Sequence, residues 1–99
     1  DLRVLTKIHS INKDLRMSED DALMLSPALM PQPDGVRLSL AVGGKELGGF
    51  KDQHRLIAQS WSSSIELEVP CPMDNHFSIL ETFADPTTEL FSAAMQMFE

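Results

Sequence analysis

Glu46 and His76 are the two residues in this chain whose types and placement best suit acid–base chemistry. They stand 30 positions apart, each in a loop: Gly43-Gly44-Lys45-Glu46-Leu47-Gly48-Gly49 and Cys71-Pro72-Met73-Asp74-Asn75-His76. A carboxylate that accepts a hydrogen bond from one ring nitrogen fixes the imidazole tautomer and stabilises the imidazolium. The other nitrogen is then free to take a proton from a nucleophile. Each residue also has a plainer role open to it. Glu46 can be a solvated loop carboxylate, and His76 a helix cap or a packed core histidine.

The other chemistry-bearing residues make weaker sets. Asp74 is two residues from His76, too close in sequence to reach its ring easily as an orienting acid. Asp74, His76 and Glu81 do not form a metal site: His76 and Glu81 are five apart, off the i, i+4 face, and no second His or Cys joins them. Neither a metal nor an organic cofactor is expected. Cys71 lies between Pro70 and Pro72, which fix the backbone on both sides. It is read as a small, semi-buried residue after a strand and not as a nucleophile. Met95 and Met97, with Phe91 and Phe98, are expected to be core packing. His9 and His54 have no partner in view.

The elements that must position Glu46 and His76 follow from periodicity. Val36 to Val42 (V-R-L-S-L-A-V) predicts a strand stopped by Gly43-Gly44, and Ile65 to Val69 (I-E-L-E-V) predicts another with one polar face. Between them Phe50, His54, Ile57 and Trp61 recur at helical spacing, and Ser62-Ser63-Ser64 breaks that helix. Strand–helix–strand over this length predicts two parallel strands, about residues 36–42 and 64–69, with flanking helices. Loops after neighbouring parallel strands share one sheet edge, where ligands and catalytic groups collect, so Glu46 and His76 can approach each other. The glycines around Glu46 allow the backbone to turn sharply.

Upstream, Leu2, Val4, Leu5, Ile8, Ile11 and Leu15 suit a helical face, and a second helix should start at the N-cap Ser18 with Glu19-Asp20-Asp21 in its first turn. Ser26-Pro27 ends it, and Met30 to Gly35 is a proline-rich loop closed by Asp-Gly. Downstream, Phe77 to Ala84 predicts a short helix with Phe77, Leu80 and Phe83 buried. Asp85-Pro86-Thr87-Thr88-Glu89 stops it and starts a last helix over Leu90 to Phe98.

The bulk properties bound the function. At 99 residues, 42% hydrophobic and 23% charged, the chain has the composition of a globular domain or a piece of one. A net charge of −7 disfavours nucleic acid and acidic membrane surfaces as partners. Apolar runs are far shorter than the roughly 20 residues of a membrane span. One cysteine and no apolar signal core at the N-terminus fit a cytoplasmic location. The first residue is Asp1 and not Met, and two parallel strands leave unpaired edges. More chain is therefore expected on the N-terminal side.

At the two loops a family resemblance emerges. Residues 42–61 (VGGKELGGFKDQHRLIAQSW) and 75–90 (NHFSILETFADPTTEL) resemble the C-terminal region of α/β-hydrolases of the arylformamidase (kynurenine formamidase) and carboxylesterase branch. Members carry a strand ending in Val-Gly, an acid, a Phe-x-x-Gln helix, then a strand leading to Asn/Asp-His-Phe. The segment from Asp1 through Pro27 is similar to the stretch after the nucleophile subdomain, so the likeness covers the whole of residues 1–99 as a segment of one hydrolase domain. The resemblance implies Glu46 as triad acid and His76 as triad base. It implies an upstream serine nucleophile and a small-molecule substrate, an aryl formamide such as N-formylkynurenine in tryptophan catabolism, or a carboxylic ester. Pro72 stands where a glycine is expected, and His54 where Ser is commoner. No Gly-x-Ser-x-Gly and no HGG-type oxyanion segment occur in the 99 residues, so this chain alone is expected to be inactive and to be completed by the rest of the hydrolase or by a second copy. The alternative is a non-enzymatic interaction or oligomerisation module that uses the open strand edges.

Overall fold

The computed structural model describes residues 1–99 as two compact units, Asp1–Gln32 and Pro33–Glu99.

In the first unit the helical stripe of Leu2 to Leu15 does not form one helix. A 3-10 turn over Leu2–Lys7 ends at Ile8, whose backbone is extended (φ −99°, ψ 98°), and helix α1 spans His9–Leu15. The interruption is local. Asn12 donates through Nδ2 to the carbonyls of Thr6 (3.3 Å) and Met17 (3.1 Å), and its Oδ1 accepts from the Met17 amide at 2.9 Å. One amide side chain thereby ties the turns on either side of α1, competing with a continuous helix. Helix α2 (Glu19–Leu25) starts as expected: Ser18 Oγ accepts from the Asp21 amide and the Asp21 carboxylate accepts from the Ser18 amide, both at 3.1 Å. Ser26, which ends α2, is fully buried. Its hydroxyl donates to the Ala22 carbonyl at 2.6 Å and accepts from the Leu2 amide at 2.7 Å, joining α2 to the first turn.

The second unit is mixed α/β. Strands β1 (Leu38–Gly43) and β2 (Ile65–Cys71) pair in parallel in one two-stranded sheet, with helix α3 (Gly48–Ser60) between them in sequence. A 3-10 turn over Ser62–Ser64 breaks α3, as its serines predict. Gly35 takes a left-handed conformation (φ 70°) in the loop before β1. Register runs from Leu38 opposite Ile65 to Gly43 opposite Cys71, with one irregularity after Leu38. β1 starts two residues later than expected, and β2 starts at Ile65 as expected but runs two residues further. β2 continues through Pro70 because β2 has no strand on its outer side, and an edge strand tolerates a proline whose missing N–H faces away from the ladder.

Helices α4 (Ser78–Ala84) and α5 (Glu89–Gln96) follow; Thr88 caps α5 by accepting from the Phe91 amide at 3.2 Å. The core is small: Val69 and Cys71 of β2 with Ala93 of α5, flanked by Ala41, Ile79 and Leu90. Two expectations are corrected here. Phe77, Leu80 and Phe83 are not buried, being 79%, 66% and 50% exposed; α4 instead turns Ile79 to the core. Ala93 and Leu90 of α5 supply the packing; of the four residues expected there, Phe91 and Met97 are half-buried, while Met95 and, beyond the helix, Phe98 stay exposed. Two strands and three helices have too little interior for every apolar stripe.

Candidate active site

β1 and β2 end side by side, and backbone bonds join the loops that leave them. The Gly44 amide donates to the Cys71 carbonyl at 2.8 Å and the Lys45 amide to the Asp74 carbonyl at 2.9 Å. Gly43 and Gly44 permit this approach. A Cβ at Gly43 would lie 2.3 Å from the Asp74 carbonyl oxygen, and one at Gly44 would lie 2.3 Å from that of Pro72. Neither glycine has a positive φ. Their contribution is thus room for a second backbone, not a special turn conformation.

The joined loops bring Glu46 and His76 together. His76 Nδ1 and Glu46 Oε1 are 2.6 Å apart, and Glu46 Oε2 accepts from the Gly43 amide at 2.5 Å. The Glu46 side chain is only 5% exposed whereas that of His76 is 56% exposed. The carboxylate is therefore sheltered and held at both oxygens, while the imidazole reaches solvent. With Glu46 ionised, Nδ1 carries the hydrogen and donates to the carboxylate, leaving the Nε2 lone pair as the basic atom.

Several residues outside the expected pair hold His76 in place. Phe50, in the first turn of α3, stacks on the imidazole with centroids 4.4 Å apart and planes 23° from parallel; Phe77 meets it edge-on at 5.7 Å and 78°. Asn75 Oδ1 accepts from the amides of Phe77 and Ser78, both at 2.8 Å, shaping the turn that presents His76. Lys51 Nζ donates to the Gly44 carbonyl at 2.5 Å, tying α3 to the Glu46 loop. Sequence reasoning missed these roles. Phe50 carried a signal, since it lies four positions after Glu46 at the start of the connecting helix.

The other candidates fall elsewhere. Asp74 does not bond His76; its Oδ1 accepts from Ser78 Oγ and Thr82 Oγ1, both at 2.9 Å, anchoring the start of α4. Cys71 is buried, its thiol donating weakly to the Val69 carbonyl at 3.8 Å. Burial pushes that thiol's pKa up, with the Asp74 and Glu89 charges adding to the effect, which suits a packed residue and not a nucleophile. His54, for which the sequence shows no partner, pairs through Nε2 with Glu68 Oε1 at 2.8 Å. No helix is long and apolar enough to cross a membrane. No family model, no curated protein and no solved structure matches this chain.

Proposed function

We propose that this chain supplies the acid and base of a serine hydrolase of the α/β-hydrolase class, in the arylformamidase and carboxylesterase branch. Its substrate is an aryl formamide or a carboxylic ester. The observation that carries the reading is the 2.6 Å contact of His76 Nδ1 with a buried Glu46 that is itself fixed by the Gly43 amide. In this reading Nε2 takes the proton from a serine that lies outside these 99 residues, then returns it to the leaving amine or alcohol. Glu46 orients the ring and stabilises the imidazolium. The chain acts in the cytoplasm, its remaining machinery coming from the rest of the hydrolase or from a second copy.

The test is hydrolysis of N-formylkynurenine and p-nitrophenyl acetate by the gene product that contains these residues. His76→Ala is expected to lower kcat by roughly a thousandfold or more, and Glu46→Gln by roughly a hundredfold to ten-thousandfold. Wild-type inactivity on both substrates, or activity that survives both substitutions, refutes the reading.

A second reading, a non-enzymatic interaction module, is favoured by one observation. β1 is bordered by an apolar groove of about 340 Å³ lined by Leu38, Leu40, Phe83, Leu90, Met97 and Phe98. An exposed apolar groove beside a strand with no partner on its outer side suits an added strand. A chain that is inactive in the assay above, yet dimeric by light scattering, would favour it.

A further inference from the structure

Three large apolar side chains are exposed beside His76. Leu47 is 76% exposed, Phe50 43% and Phe77 79%. Together with the imidazole they line a groove of about 440 Å³, completed by Lys45, Glu46 and Asn75. That volume falls in the range of small-molecule sites, and apolar surface with a few polar groups converging on it is their usual make-up. The rings are already organised. Phe50 covers one face of His76, and Phe77 meets it edge-on. A further ring entering the groove between Leu47 and Phe77 gains edge-to-face or offset-stacked contacts that an alkyl group of equal size does not.

We infer that the Leu47–Phe50–Phe77 groove is the subsite for an aromatic ring of the substrate, seating it against His76. The inference rests on the proposed hydrolase reading for what happens to the bound amide, but the binding itself does not depend on a nucleophile. Phe50 already braces the imidazole, so Leu47 and Phe77 are the residues that select for the ring.

The test is an NMR titration of the 99-residue chain with N-phenylformamide and, separately, N-cyclohexylformamide, following the side-chain resonances of Leu47, His76 and Phe77. Saturable shifts at these three residues are expected, with the phenyl compound bound roughly 3- to 10-fold more tightly. Phe77→Ala should abolish that preference. Phe77→Leu should keep part of the affinity and lose the discrimination, which a merely structural role for Phe77 would not produce. Absence of saturable shifts up to the solubility limit, equal affinity for the two compounds, or a preference unchanged in Phe77→Ala overturns the inference. So do shifts that depend on protein concentration without ligand, because a second copy then covers the groove. Binding as expected beside an inactive gene product would leave the subsite standing and remove the hydrolase reading. Hydrolysis with no aryl preference would do the reverse.

Discussion

Replacing Gly43 by alanine tests the claim that close backbone approach, and not turn conformation, builds the Glu46–His76 pair. The added Cβ would sit 2.3 Å from the Asp74 carbonyl oxygen and 2.8 Å from its carbon, whereas ordinary contact begins at 3.4 Å. Both obstacles are backbone atoms, so no side chain can swing aside. The Asp74 strand of the loop has to retreat by about 1 Å, which in a close-packed setting moves its neighbours as well. A displacement of about 1 Å stretches the Lys45 amide bond to the Asp74 carbonyl from 2.9 Å to beyond hydrogen-bonding distance. Carried to His76, two residues on, it does the same to the 2.6 Å contact with Glu46. Two hydrogen bonds at about 1 kcal/mol each, with about 1–2 kcal/mol of strain, give a loss of about 3–4 kcal/mol. Urea unfolding at unchanged m-value measures the loss, and ring nitrogen shifts of His76 report the broken pair. Gly48→Ala is the matched control. Nothing lies within 4 Å of its Cβ, and alanine favours helix, so it should not destabilise. A Gly43→Ala protein within about 0.5 kcal/mol of wild type that keeps the His76–Glu46 bond would refute the reasoning.

Asn75→Ala removes the acceptor of two amide bonds and should cost about 1–2 kcal/mol, broadening the His76 ring signals as the turn loosens; unchanged stability and line shapes would count against its positioning role. Cys71, buried and with its thiol pKa raised, should react with iodoacetamide at pH 8 at least about tenfold more slowly than a free cysteine, read by mass spectrometry. The hydrogen bonds from the Ser18 hydroxyl and amide hold the Asp21 carboxyl below its ordinary value of 3.8. A depressed folded value means that the cap's contribution to α2 is complete above that range and is lost as pH falls through the lower, folded value. Amide shifts of Ser18 and Asp21 should accordingly move together in a transition whose midpoint lies below 3.8, and Ser18→Ala, which keeps the backbone bond but loses the hydroxyl, should move that midpoint up toward 3.8.

Sequence by itself determined the elements that rest on local rules. Flanking glycines marked the first strand and alternation the second, Ser18 and Thr88 marked two helix starts, and the serine run after Trp61 marked a helix end. The parallel pairing followed from the helix between the strands, and with it the meeting of Glu46 and His76 at one sheet edge. Tertiary structure decided what depends on a second segment arriving. The extension of β2 through Pro70 depends on which of its sides is unpaired. The break at Ile8 accompanies the bonds of Asn12 to Thr6 and Met17, which no apolar periodicity records. The exposure of Phe77, Leu80 and Phe83 follows from how little interior is available to α4, because an apolar stripe shows which side can be buried and not whether anything lies there to bury it. The stacking of Phe50 on His76 was equally out of reach of spacing, since it depends on how α3 lies against β1 and on where the second loop crosses its first turn.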